Sequence, residues 1–186
     1  MRSSHRHSFV LQLLGWCLAV GLVLSTTTAF ADGFVQFEGI SGESTDKDHK
    51  NWIDITSFEQ GASSPSSSSS RTGRSRAAAQ FSDIKITKGL DAASPKLAEA
   101  LAQGKAFSRV KLQLTASLGG TRTTYYEVEL KNVRITSYQV GGSADGAPTE
   151  ELSLNFEEIK VTYTKHDANG KKAGSVSYTW KLRSAS

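Results

Sequence analysis

The residues of this chain best suited to metal chemistry lie between positions 46 and 50. Asp46, Asp48 and His49 form a compact group of oxygen and nitrogen donors, which are ligand types that proteins use for metal ions. Lys47 and Lys50 interleave with them and oppose the binding of a cation. We therefore predict a hydrogen-bonded loop at this position and no metal site.

Residues suited to nucleophilic or acid–base catalysis are present but not in a recognisable arrangement. His49 and His166 both lie in polar, turn-like sequence, and no serine stands in a Gly-x-Ser-x-Gly elbow. Glu157 and Glu158 could act as a carboxylate pair, but adjacent residues on a regular strand point to opposite faces. We expect both histidines to be solvated loop residues. The protein is predicted not to be an enzyme and to use no cofactor.

Three further motifs allow a functional and a structural interpretation. Residues 167–170, Asp-Ala-Asn-Gly, begin like a calcium loop, but lysines follow where further ligands are needed, so a hairpin turn is favoured. Arg71, Arg74 and Arg76 could contact phosphates, although a solvated loop explains them better. Five aromatic residues could form a carbohydrate-stacking platform, but their alternation favours core or interface positions: Tyr125, Tyr126, Tyr163, Tyr178 and Trp180.

The first 31 residues have the three parts of a secretory signal peptide. Basic residues including Arg2 and Arg6 precede an apolar run over residues 9–24, and small residues precede position 32. The apolar run is shorter than the ~20 residues needed to span a bilayer. We predict cleavage between Ala31 and Asp32, a secreted or periplasmic product, and no membrane association after cleavage.

Removal of residues 1–31 changes what the composition implies. Cys17, the only cysteine, leaves with this segment, so residues 32–186 cannot use a disulfide or a thiolate site. Two arginines also leave, which lowers the formal net charge from its value of +4 for the whole chain. The remaining balance is too weak to indicate a nucleic-acid partner. Residues 32–186 have a length suited to one domain.

Alternating apolar and polar residues predict a mainly β protein. Val110 and Leu112 begin the clearest alternation, which continues to Leu118 with polar residues between. The alternation changes phase at residues 131–132 and again at residues 157–158. Because a one-residue slip turns side chains to the other face, these points predict bulges or sharp bends in a sheet that folds over. The last strand predicted carries Val176, Tyr178, Trp180 and Leu182 on one face.

One helix and one unusual loop interrupt the strands. Residues 94–103 read as a short helix, with Ser94 as the N-terminal cap, Pro95 in the first turn and Gly104 as the left-handed stop. Residues 61–79 are rich in serine and almost free of apolar side chains, which predicts a mobile loop.

Several blocks, in their order and spacing, resemble the haemolysin-coregulated protein (Hcp) family, the tube-forming component of type VI secretion systems. They are residues 39–46 with His49, 52–53, 88–105, 125–128, 151–159 and 167–170 before Trp180. The resemblance implies a small antiparallel β-barrel of two packed sheets with one flanking helix. It also implies a hexameric ring with a central channel, rings that stack into a tube, and secretion-machine or effector proteins as partners.

Two features depart from what the resemblance implies. The family's ring-stacking loop corresponds here to residues 61–79, with Gly61, Pro65, Arg71, Arg74 and Arg76 as candidate stacking residues, but this serine run is longer than the family pattern. A cleavable signal peptide is also not needed for a tube that leaves through the contractile machine. The alternative is an independently exported Hcp-like protein that acts as a secreted binding module for carbohydrate or protein.

Overall fold

The structure, a computed structural model, describes residues 32–64, 79–142, 144 and 146–182. The predicted signal peptide and most of the predicted serine-rich loop lie outside these residues. Within them the chain forms one helix and eleven strands: β1 Asp32–Phe37, β2 Ile53–Ile55, β3 Ser57–Glu59, β4 Ala62–Ser63, β5 Gln80–Phe81, β6 Ile84–Gly89, α1 Ser94–Ala102, β7 Ala106–Leu118, β8 Thr121–Gly141, β9 Thr149–Asn155, β10 Glu158–His166 and β11 Lys172–Lys181.

Nine of the strands form one antiparallel sheet, in the order β2-β1-β7-β8-β9-β6-β3, with β10 and β11 extending it from β8. The two ends of this path, β2 and β3, are separated in sequence by Thr56 alone. The N–H and hydroxyl of Thr56 donate to the carbonyl of Thr87 at 2.8 and 3.1 Å. Thr56 therefore connects the two ends of the strand path, although β2 and β3 do not pair with each other. The predicted mainly antiparallel β fold with one helix is confirmed.

Both predicted changes of phase are present, and the residues at these two points contact each other. Lys131 and Asn132 are both exposed, and Asn132 has a φ of 50°, so the buried residues of β8 change parity there. Residues 126–131 of β8 pair with β10, and β9 pairs from position 134 onward. The second change of phase is the break between β9 and β10, where the N–H of Glu157 donates to the carbonyl of Lys131 at 3.0 Å. The two changes of phase mark where the long strand exchanges partners.

Helix α1 begins at Ser94, with Pro95 in its first turn, and Gly104 follows it with a φ of 61°. The predicted capping role of Ser94 is wrong. The carboxylate of Asp91 instead accepts from the N–H of Ala93 at 3.0 Å, and the Ser94 hydroxyl accepts from the N–H of Asp91 at 3.0 Å. The turn before the helix is therefore closed by Asp91.

The core lies inside the curled sheet and under the helix, and it includes Val35, Ile53, Leu97 and Leu130. Thr115 departs from the predicted alternation of β7, since it lies in the polar phase yet is buried. A register shift follows Leu114, and the Thr115 hydroxyl donates to the carbonyl of Asp32 at 3.4 Å. Among the described residues no helix has the length and apolar character needed to cross a membrane.

Candidate functional site

The last hairpin, β10 and β11, continues the core face of the sheet beyond the core. Residues directly opposite each other on paired strands point to the same face. The apolar residues of β11 lie opposite the core-facing residues of β10: Val176 opposite Tyr163, Tyr178 opposite Val161, and Trp180 opposite Ile159.

Burial falls off steeply across this hairpin. Ile159 is fully buried, but Tyr163, Val176, Tyr178 and Trp180 are 48%, 71%, 45% and 42% exposed. We call these four side chains the hairpin face. Of the aromatic residues predicted as core or interface, Tyr163, Tyr178 and Trp180 are therefore at the surface, whereas Tyr126 packs against the core. Clustered exposed apolar side chains are typical of protein interaction sites.

Strand β11 is also an edge of the sheet. It pairs with β10 alone among the described strands, and every residue from Lys172 to Lys181 is exposed. An edge strand of ten residues presents backbone donors and acceptors to which a further strand or loop can pair. Within the part of the chain that the structure describes, the hairpin therefore offers both apolar side chains and a strand edge that pairs with no further strand.

The described ends of the predicted stacking loop lie against this hairpin. Strands β4 and β5 pair with each other, and the carbonyl of Gly61 accepts from the N–H of Ser82 at 3.0 Å. Phe81 stacks on Trp180, and Gln60 donates to the hydroxyl of Tyr178 at 3.0 Å. Of the candidate stacking residues, Gly61 is thus placed next to the hairpin. The others, Pro65, Arg71, Arg74 and Arg76, lie outside the described residues.

The prediction that both histidines are solvated loop residues is wrong. His166 is half-buried at the end of strand β10, and His49 lies in the interior. It is 2% exposed, and its ring stacks on Phe34 at 4.1 Å and meets the edge of Trp52 at 5.0 Å. Its Nδ1 and Nε2 lie 2.7 Å from Asp46 Oδ1 and Gln113 Oε1. Burial is tolerated because both ring nitrogens have polar partners at hydrogen-bond distance while the two aromatic neighbours exclude water from the ring. The histidine fastens its loop to β7.

Asp46 is the centre of a hydrogen-bonded loop, as predicted. Burial works against its charge, but the hydrogen bonds from His49 and Arg122 outweigh burial and lower the pKa of Asp46 to about 2. Arg122 also pairs with Asp32 at the start of β1. No group of three or more His, Cys, Asp or Glu side chains in the described part of the chain is placed to hold a metal ion.

The other candidate motifs are engaged in structural contacts. Glu157 accepts from the side-chain amide of Asn132 at 2.8 Å, and Glu158 pairs with Lys131 at 2.6 Å, so the two carboxylates do not face each other across a cleft. Residues 167–170 form the β10–β11 turn, where Asp167 Oδ1 accepts from two backbone N–H groups at 2.9 Å. The predicted hairpin turn at this position is confirmed.

The structure contains a buried ion pair between Lys88 and Glu150 that the sequence analysis did not predict. The Nζ of Lys88 lies 2.6 Å from Glu150 Oε2, and both side chains are fully buried. Lys88 also donates to Asp91 at 2.8 Å and to the hydroxyl of Ser94 at 3.1 Å, which ties α1 to the sheet. The pair is thus the polar junction between helix and sheet.

Tyr138 completes this junction by donating to Glu150. Burial would raise the pKa of Glu150, but its hydrogen bonds with Lys88 and Tyr138 leave that pKa below the ordinary value. Burial and the contact with Glu150 raise the pKa of Tyr138 to about 12. A signal was present in the sequence. Lys88 follows Ile84 and Ile86 in the buried phase of β6, and Glu150 precedes Leu152 and Leu154 in the buried phase of β9.

A polar cleft of about 640 Å³ lies beside the end of β1 and the first half of β7. Its charged lining consists of Lys50, Arg109 and Lys111 with Glu38 as the acidic residue. No histidine or carboxylate pair lines it, so the cleft does not assemble a nucleophile with a base.

The fold and the hairpin face define a mainly antiparallel β protein whose prominent surface feature is an exposed apolar hairpin. The model of the family "Type VI secretion system effector, Hcp" matches residues 34–163. The protein hcp1 of Pseudomonas aeruginosa strain PAO1 is 32% identical over 154 residues, which cover 82% of this chain and 95% of that protein.

Solved structures agree with this assignment. The structure of a type six secretion system protein superposes with a TM-score of 0.77 at 30% identity, covering 82% of this chain and 96% of that one. A type VI secretion system effector from Yersinia pestis superposes with a TM-score of 0.65 at 25% identity, covering 81% and 99%. The chain belongs to the Hcp family of type VI secretion system proteins.

Proposed function

We propose that this protein is a structural subunit that assembles head to tail into a hexameric ring with a central channel. The rings stack into a tube that carries effector proteins, and the subunit acts without catalysis. The observation that carries the proposal is the hairpin face, an apolar continuation of the core face that the described residues Phe81 and Gln60 cover only in part. Family membership supports the ring as the form that covers it.

The geometry favours a contact between unlike surfaces. The hairpin face lies on β10 and edge strand β11, which branch from β8, whereas the two ends of the main strand path are the three-residue strands β2 and β3. A surface that binds a different surface of the next copy generates a closed ring when the rotation between copies closes. Burial of a large apolar side chain contributes about 1.5–3 kcal/mol, so the hairpin face can supply a substantial part of such a contact.

The absence of catalysis is proposed because the residues best suited to chemistry have structural partners. His49 is enclosed between Phe34 and Trp52. Glu157 and Glu158 bind Asn132 and Lys131, which connects the break between β9 and β10 to the change of phase in β8. Stacking through residues 61–79 is supported by the position of Gly61 beside the hairpin. Release outside the cytoplasm through the predicted leader belongs to the same proposal.

The native mass of residues 32–186, measured by light scattering on a sizing column over a concentration series, tests this function. We expect a mass near six protomers. Val176→Ser with Trp180→Ser should shift the mass toward one protomer, whereas Ser177→Ala with Thr179→Ala, on the opposite face of the same strand, should leave it unchanged.

A monomer at every concentration would contradict the ring. In that case retention of the protein on immobilised glycans would favour the alternative, a secreted binding module that uses Tyr178 and Trp180 as its aromatic platform.

A further inference from the structure

The cleft of about 640 Å³ beside β1 and β7 gathers positive charge. Its lining contains three cations against the single acidic residue Glu38. The cations are Lys50, Arg109 and Lys111, and the uncharged polar lining is Gln36, Ser41 and Asn51. The volume is that of a small-molecule site, which commonly measures about 300–1,000 Å³. The lining therefore suits a polar ligand with negative charge.

Separate elements of the fold bring the three cations together. Arg109 and Lys111 are two residues apart on β7, so they share one face of that strand. Lys111 lies directly opposite Gln36 of β1. Lys50 belongs to the loop that His49 fastens to β7. The charges are thus carried by elements that the core holds in place.

The loop side of the cleft is fixed through its backbone. Asn51 has a φ of 63°, a conformation that residues other than glycine adopt only rarely. Its N–H donates to the carbonyl of Ser44 at 2.9 Å, and its carbonyl accepts from the N–H of Gly42 at 2.8 Å. Backbone strain of this kind is concentrated at binding sites, where it holds a side chain ready for a ligand.

The cations of the cleft stand apart from their neighbours in lacking anionic partners. Within residues 32–64, 79–142, 144 and 146–182, none of the three forms an ion pair. In the adjoining pocket beside α1, Lys96 lies 2.8 Å from Glu99. Lys131, opposite Arg109 on β8, lies 2.6 Å from Glu158. Like charges without partners repel one another, and an anion placed among them would relieve this repulsion.

We propose that this cleft binds a small multivalent oxyanion, a ligand with two or more phosphate or carboxylate groups. The guanidinium of Arg109 supplies a planar fork of donors that matches either group, and the ammonium groups of Lys50 and Lys111 act as point charges. The hydroxyl of Ser41 and the side-chain amide of Asn51 donate to the remaining oxygens. This binding goes beyond ring assembly and does not depend on it.

Isothermal titration calorimetry of the purified protein, with tripolyphosphate and separately with citrate, tests the site in about 150 mM salt. We expect saturable binding of at least one of these two probes. The tighter of the two identifies phosphate or carboxylate as the preferred group. Affinity should fall as the salt concentration rises, because the contacts are between charges.

Substitutions in the cleft should change the affinity in opposite directions. Arg109→Gln should lower it about 10–100-fold, the usual loss for a charged hydrogen-bonding group. Arg109→Lys keeps the charge without the fork and should give an intermediate loss. Glu38→Gln removes the opposing charge and should raise the affinity about 2–5-fold. Lys160→Gln, at an exposed lysine of β10 outside the lining, is the matched control and should leave the affinity unchanged.

Two results would overturn the proposal. One is the absence of binding by both probes. The other is an equal loss in Arg109→Gln and Lys160→Gln, since the attraction would then belong to the surface charge as a whole. Circular dichroism establishes that each variant is folded, and its native mass separates the site from ring assembly. A monomer that binds the probe would support the cleft while contradicting the ring.

Discussion

The rings of Phe81 and Trp180 lie 6.4 Å apart and 29° from parallel, which joins the base of the predicted stacking loop to the last strand. Phe81 also meets the edge of Phe156, which belongs to the core, at 6.3 Å. The aromatic chain therefore runs from the core through β5 to the exposed edge. The loop base and the hairpin face therefore share one set of packed rings.

Truncation of Phe81 and Trp180 should show coupled effects on stability. We expect Phe81→Ala and Trp180→Ala together to cost less than the sum of the single changes, by about 0.5–1.5 kcal/mol, which is typical of an aromatic pair. Urea unfolding of residues 32–186 at a concentration where every variant is monomeric measures the coupling. Phe81→Ala with Val176→Ala provides a comparison pair outside the described aromatic contacts. A coupling energy near zero would show that the two rings do not interact.

The buried pair Lys88 and Glu150 should be far more sensitive to loss of one partner than to loss of both. Lys88→Met leaves a carboxylate buried without its cation, which costs about 3–5 kcal/mol in other proteins. Adding Glu150→Leu to Lys88→Met should restore most of that stability, because no buried charge then remains. Thermal and urea unfolding measure both effects.

A matched control for this pair lies on the exposed side of the same two strands. Lys85 and Glu151 lie 3.9 Å apart with about half of each side chain exposed. Lys85→Met should change the free energy of unfolding by less than about 1 kcal/mol, as is usual for a surface pair. If Lys88→Met were as mild as Lys85→Met, the buried pair would not hold the helix to the sheet.

The contrast between these pairs also shows what the sequence could reveal. Alternation predicted the strands and both changes of phase, and Pro95 and Gly104 predicted the two ends of the helix, because each depends on local sequence. The burial of His49 depended on Gln113, which is distant in sequence and approaches only when β7 packs against the loop. The exposure of Trp180 was equally invisible, since alternation identifies a face without showing whether another layer covers it.

The stability of the domain should fall in acid through Asp46. The pKa of Asp46 is about 2 in the folded chain and 3.8 in its ordinary state. A carboxylate with a lowered pKa in the folded state stabilises the fold above its unfolded pKa, and that contribution is lost as the pH falls from about 4 to about 2. The loss should reach about 2 kcal/mol.

Substitution of Asp46→Asn should remove this part of the pH dependence while lowering stability at neutral pH. Urea unfolding at a series of pH values between 2 and 7 follows it. Asp48→Asn, at the exposed neighbouring carboxylate, serves as the control and should leave the slope of stability against pH unchanged. An unaltered slope in Asp46→Asn would mean that other groups account for the acid transition.

Gly42 should tolerate no side chain, because the loop that carries His49 passes too close to its α-carbon. A Cβ added at Gly42 would lie 2.4 Å from the carbonyl oxygen of Trp52, and this backbone atom cannot rotate away. Trp52 packs perpendicular to the His49 ring, so relief of the clash would disturb that contact as well. We expect Gly42→Ala to lower the free energy of unfolding by about 1–3 kcal/mol, the usual cost of overpacking.

At Gly141 an added Cβ would meet no atom within 4 Å, so the free energy of unfolding of Gly141→Ala should lie within about 0.5 kcal/mol of the parent protein. Urea unfolding of both variants decides the matter: equal stabilities would show that the loop can move away from β2 without cost, and a selective loss in Gly42→Ala would show that the loop is rigidly packed around His49.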